Sequence, residues 1–137
     1  MQLNSRPVIQ DAGGKVIKYE ADNCFALFDD VLPAVRAAMR LNATFNEIRR
    51  FTDEQFDIRL STGIDYGEVL LTGDSDYFGD TVNIACKLGE DVAGPGEILL
   101  TERAFTRLPA QAGYTGKPVT PVLSGIQISA LKLKYTI

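Results

Sequence analysis

Apolar and polar positions follow two periods along this chain, and the period changes at glycines, prolines and carboxylates. Val8-Ile9-Gln10 runs into Asp11-Ala12-Gly13-Gly14, which predicts the tail of a helix with a glycine stop. Residues 15 to 19 and 24 to 28 are two short β-prone runs around Glu20-Ala21-Asp22-Asn23, and they predict a hairpin with Asp-Asn near its turn. Asp29-Asp30 then caps a helix, and Pro33 is tolerated in a first helical turn. Ala34, Val35, Ala38, Leu41, Phe45 and Ile48 recur at helical spacing as one stripe, with Arg36, Arg40 and Glu47 off it. A stripe of this kind is core.

Phe56, Ile58 and Leu60 alternate with Asp57, Arg59 and Ser61, as in a half-buried strand. Gly63-Ile64-Asp65-Tyr66-Gly67 reads as a turn, residues 68 to 71 as a second strand, and Gly73-Asp74-Ser75-Asp76 as a polar loop. Asp80 or Thr81 caps a helix running to about Leu88, and Gly94-Pro95-Gly96 closes that region. Residues 97 to 100 predict a short strand, and Thr101 caps a short helix to about Leu108. Two last strands fall near residues 120 to 123 and 128 to 135. In the second, Leu131, Leu133 and Tyr135 alternate with Lys132, Lys134 and Thr136. There is no internal repeat. Strands interleaved with amphipathic helices, one pair in a tight hairpin, predict a single α+β domain over residues 1–137: a mixed sheet with helices packed on it.

Composition narrows the chemistry. A length of 137 residues suits one hydrophobic core. The net charge of −4 is spread along the chain, and Arg49-Arg50 and the Lys132, Lys134 pair read as solvated faces, so no nucleic-acid partner is expected. No apolar run has the length of a membrane span, and residues 1 to 7 are polar. The expectation is a soluble, cytoplasmic protein. The chain has no histidine and two cysteines, Cys24 and Cys86, far apart in sequence. That excludes the usual zinc site and the Ser-His or Cys-His nucleophile pair. Both cysteines read as reduced core residues. Any chemistry must run on carboxylates, Lys, Arg and a hard metal.

Three stretches together resemble the catalytic domain of class III nucleotidyl cyclases, the adenylyl and guanylyl cyclases. They are "GGKVIKYEADNCFALF", "LSTGIDYGEVLL" and "DYFGDTVNIACKLGEDVAGPGEILLT". The third is the most specific. The resemblance covers about residues 8 to 137 and implies a mainly antiparallel mixed sheet with a ferredoxin-like core. It implies conversion of ATP to cyclic AMP by attack of the 3′-hydroxyl on the α-phosphate, with pyrophosphate leaving. It also implies Mg²⁺ or Mn²⁺ as cofactor, and a homodimer with its sites between subunits. Residue by residue, Asp22 matches a metal ligand at the hairpin turn. Lys18 and Asp76 match the adenine-reading pair, Lys donating to ring N1 and Asp accepting from the exocyclic amine. Asn83 matches the ribose-positioning Asn. Residue 87, four further on, is Lys where the family has an Arg on the reacting phosphate.

Each residue also has a plainer reading. Asp22 is a favoured turn residue, Lys18 a strand-surface lysine and Asp76 a loop carboxylate. Asn83 is a helix amide bonded to backbone, and Lys87 a surface charge. Departures from the family pattern favour an alternative, a cyclase-like module that senses nucleotide or dimerises without turnover. Lys87 keeps the charge of Arg but loses its planar fork. The C-terminal hairpin, Ser124-Gly125-Ile126, has no cation where the family often places a triphosphate Lys. The family's first metal Asp lies on a strand upstream of Val8-Ile9, and residues 1 to 6 carry no carboxylate. One metal Asp of two is therefore expected here, from a fragment or a degenerate domain.

Overall fold

Two glycines stop the first helix. The computed structural model describes residues 2–20, 23–51, 60–72, 76–78 and 80–135. Helix α1 (Gln2–Asp11) ends where Gly13 takes φ 88°. The Gly13 N–H then reaches the Gln10 carbonyl at 3.0 Å and the Gly14 N–H the Ile9 carbonyl at 2.9 Å. Those two bonds satisfy carbonyls that the last helical turn leaves open. Strands β1 (Lys15–Glu20) and β2 (Asn23–Leu27) form the antiparallel hairpin, with a register irregularity between Val16 and Lys18. Asp30 Oδ1 accepts from the Val31 N–H at 2.7 Å and caps α2 (Val31–Phe51), as expected. The expected strand at residues 56 to 61 falls mostly outside the described residues.

The next elements are β3 (Thr62–Ile64), β4 (Leu70–Thr72), β5 (Asp76–Phe78) and α3 (Asp80–Lys87). Gly63 and Ile64 are strand residues, not turn residues, because β3 pairs in parallel with β6 (Ile98–Thr101). β4 and β5 pair as a hairpin, so Asp76 opens a strand rather than sitting in a loop. Helix α3 passes into a π-helical turn, Leu88–Val92. The Thr81 hydroxyl donates to the Glu68 carbonyl at 3.0 Å and ties the helix start to the segment before β4. Thr101 does cap α4 (Glu102–Phe105), accepting from the Ala104 N–H at 3.2 Å. A 3₁₀ turn at Ala110–Ala112 leads to β7 (Thr115–Val119), then β8 (Val122–Leu123), β9 (Ile126–Gln127) and β10 (Ala130–Lys134).

The principal sheet has the order β3-β6-β10-β7, with one parallel and two antiparallel pairs. This is the mixed, mainly antiparallel α+β arrangement expected. Strand β6 is buried along its whole length, and alternation divides it between two cores. Ile98 and Leu100 pack with Val31, Val35 and Ala38 of α2, Ile64, Ala104 and Leu133. Leu99 packs with Leu88, Leu123 and Ala130 on the other side. Both cysteines are half-buried, and burial pushes the Cys24 thiol up from its ordinary pKa. No helix among the described residues is long and apolar enough to cross a membrane.

Candidate active site

Helix α3 is seated on β3 by two glycines. A Cβ on Gly63 would lie 2.2 Å from the Ala85 carbonyl oxygen and 2.5 Å from the Gly89 nitrogen. Backbone meets backbone there, so the helix sits closer to the strand than any side chain would permit. Leu88, with no exposed surface, anchors the end of the helix in the second core. The helix therefore has a fixed height over the sheet, and its polar residues have fixed places.

Asn83 is exposed on α3 and Lys87 stands in its last turn. At i and i+4 they share one face of the helix. The Lys87 ammonium donates to the Ser124 hydroxyl at the tip of the β8–β9 hairpin. Ser124 is a contact that the residue pattern did not flag as functional; the sign available in sequence was Ser-Gly between two short β-prone runs. Lys18 lies in β1 opposite Phe25, beside the register irregularity. Asp76 opens β5 opposite Thr72. The side chains of both, and all of Asp22, lie outside the described residues. The structure thus brings Lys87 and Ser124 together at the end of α3, with Asn83 one turn earlier on the helix, and it places Lys18 and Asp76 by their strands alone.

The start of β2 is tied to the same helix end. Asn23 Nδ2 donates to Glu90 Oε1, joining the start of β2 to the π-helical turn after Lys87. Sequence spacing gave no hint of this bond across 67 positions. Among the described residues no group of three or more Cys, Asp or Glu side chains is placed to hold a metal ion. The expectation that Lys132 and Lys134 are solvated is met by Lys134, which is exposed. Lys132 instead pairs with Glu97 at 2.7 Å.

A second polar network braces the loop after β3. The Asp65 side chain has no exposed surface and accepts from Arg103, from the Thr101 hydroxyl at 2.5 Å and from the Tyr66 N–H at 2.8 Å. Arg107 pairs with Asp30 at 3.1 Å and lies 4.7 Å from the centre of the Tyr66 ring. These groups are all satisfied within the protein, and they hold α4 and the start of α2 beside the β3 loop.

Comparison with known proteins places this geometry. No family model matches the chain. A Rhizobium meliloti (strain 1021) protein described as "Putative adenylate cyclase 3" is 30% identical over 96 residues, which is 70% of this chain and 16% of that protein. The chain thus spans about a sixth of that relative's length. The adenylate/guanylate cyclase/hydrolase from Silicibacter pomeroyi superposes with a TM-score of 0.80 at 26% identity, over 93% of this chain and 76% of that one. The adenylyl cyclase CyaB from P. aeruginosa superposes with a TM-score of 0.81 at 18% identity, over 99% and 79% respectively.

Proposed function

This chain is a class III nucleotidyl cyclase domain, and we propose that it converts ATP to 3′,5′-cyclic AMP and pyrophosphate in intracellular signalling. The observation that carries the proposal is the polar face of α3, with Asn83 exposed and Lys87 one turn on at a helix end fixed over β3. In this reading Asn83 holds the ribose, so that its 3′-hydroxyl faces the α-phosphate. Lys87 puts a positive charge where the reacting phosphate gathers negative charge. Lys18 and Asp76 read the adenine edge. Asp22 would hold Mg²⁺ or Mn²⁺, which would supply activation of the hydroxyl and offset charge on the leaving pyrophosphate. Two copies of the chain form the working unit, with a site at each side of their interface.

The test is cyclic AMP and cyclic GMP formation from ATP and GTP with Mn²⁺ or Mg²⁺, comparing the chain with Asp22→Ala and Lys87→Ala. Cyclic AMP from the parent, lost in Asp22→Ala and lowered about a hundredfold in Lys87→Ala, is the expected result. Equal product from parent and Asp22→Ala would end the assignment.

One observation favours a second reading, a cyclase-like module that binds nucleotide or dimerises without turnover. Position 87 is Lys, and its ammonium is already engaged by Ser124. ATP binding with no cyclic product, even in Lys87→Arg, would select that reading.

A further inference from the structure

Lys87 and Ser124 come from separate elements, and each is the sequence neighbour of a buried leucine. Leu88 has no exposed surface and Leu123 is 6% exposed, and both belong to one apolar cluster. That packing sets the end of α3 against the tip of the β8–β9 hairpin, where the Lys87 ammonium meets Ser124 Oγ. The tip is a two-residue turn between Leu123 and Ile126, which pair with one another. Ser124 has φ 51° and Gly125 φ 80°. A turn with both central residues at positive φ favours Asn, Asp or Gly at its first position. Ser124 is the one non-glycine residue at positive φ among the described residues. A serine there bears a backbone cost that asparagine or glycine would lessen, which directs attention to what its hydroxyl does.

We propose that Lys87 and Ser124 together form the phosphate clamp of this domain, Ser124 positioning the ammonium and adding a hydroxyl donor of its own. This rests on the nucleotide-binding reading above. An ammonium has three donors. One goes to Ser124, and two remain for a ligand. Because Ser124 Oγ accepts from Lys87, its own O–H is left to donate outward. The pair offers donors from two hydrogen-bonded atoms side by side, where a lone lysine offers one. The ligand class is the oxygens of a nucleoside polyphosphate chain. Ser124 thus compensates both departures seen in the sequence, Lys in place of Arg at position 87 and the missing cation on the C-terminal hairpin.

The test is calorimetric binding of ATP, inorganic tripolyphosphate and adenosine, with and without Mg²⁺. It compares the chain with Ser124→Gly, Ser124→Asn, Lys87→Ala and the Ser124→Gly, Lys87→Ala double variant. Ser124→Gly should weaken ATP and tripolyphosphate about tenfold and leave adenosine unchanged. Its melting temperature should stay level or rise, since glycine accepts the positive φ without cost. A hydroxyl with only a structural role would move stability and affinity in the same direction. Ser124→Asn keeps a donor and an acceptor, tolerates the conformation and should recover most of the affinity. With Lys87 already replaced, Ser124→Gly should cost less than it does in the parent, because only the hydroxyl's own donation remains to be lost. Undiminished ATP affinity in Ser124→Gly, with the parent binding normally, would overturn the clamp alone. A parent that binds neither ATP nor tripolyphosphate would overturn the nucleotide reading and the clamp with it.

Discussion

The Asp65 carboxylate accepts from both Nε and Nη2 of Arg103, at 2.8 and 2.6 Å, from a side chain that has no exposed surface. Burial of a carboxylate is costly unless it is paired and fully hydrogen-bonded. Here Thr101 and the Tyr66 N–H complete the set. Thr101 also caps α4, so one buried group joins the loop after β3 to the β6–α4 corner.

Removing Arg103 should therefore destabilise the fold through the charge left behind. Arg103→Ala should lower the unfolding free energy by about 3 kcal/mol, the low end for breaking a buried pair, because half-exposed Arg103 gains water in the parent. Urea titration of Arg103→Ala, Asp65→Ala and the double variant measures it. The double variant should lose less than the two single losses added together. Strict additivity would mean that the pair is not coupled.

The contact between α3 and β3 gives a prediction of another kind. Gly63→Ala puts a methyl group 2.2 Å from a backbone oxygen and 2.5 Å from a backbone nitrogen, neither of which can rotate away. Overpacking of this sort costs about 1–3 kcal/mol. Since the helix must lift to admit the methyl group, nucleotide affinity should fall along with the melting temperature. Gly89→Ala serves as the comparison, because its Cβ would approach no nearer than 3.1 Å to Gly63 N. It should cost less in both measurements.

Most of the element order was legible because it rests on local chemistry. The glycine stop after α1, the Asp30 cap, the stripe of α2 and the Thr101 cap are set by residues a few positions apart. Strand β7, Thr115–Val119, escaped notice because Gly116 and Pro118 lie inside it and both are poor strand residues. It forms all the same, as an edge strand on β10, where proline is tolerated. Gly63-Ile64 looked like a turn, since its partner Leu99-Leu100 lies some 36 positions on and no local signal announces a parallel pairing. At the site, Asn83 and Lys87 were visible as a helical i, i+4 pair. Ser124 and Glu90 were not, because their roles depend on which elements the tertiary fold brings to the end of α3.

Glu97 makes stability depend on acid. Its bond to Lys132 at 2.7 Å, and then the Gly94 N–H at 2.6 Å, hold the carboxyl below its ordinary pKa. The unfolded chain takes up its proton at the ordinary value, about 4.3, and the folded chain only at lower pH. The stabilisation is therefore complete above that value and is lost as pH falls through the folded pKa. Glu97→Gln should be less stable than the parent at neutral pH, and the difference should shrink steadily below about pH 4. Urea midpoints taken at intervals between pH 3 and 7 test this. A difference that does not change with pH would assign the effect to packing.

In the proposed reading, base selection turns on two strand positions. A lysine at 18 can donate to N1 of adenine, and a carboxylate at 76 can accept from its amine. Guanine presents the reverse pattern, a donor at N1 and an acceptor at O6. Lys18→Glu with Asp76→Asn offers guanine an acceptor and a donor, and leaves adenine N1 facing a carboxylate that cannot donate to it. Sites built to hydrogen-bond one pattern reject the other strongly, because unpaired polar groups remain buried. The double variant should therefore bind ATP at least tenfold more weakly and narrow or invert the preference over GTP. Competition between ATP and GTP for the parent and the double variant reads this directly. An unaltered preference would mean that residues 18 and 76 do not face the base, and the adenine assignment would be withdrawn while the assignment of the α3 face to ribose and phosphate still stood.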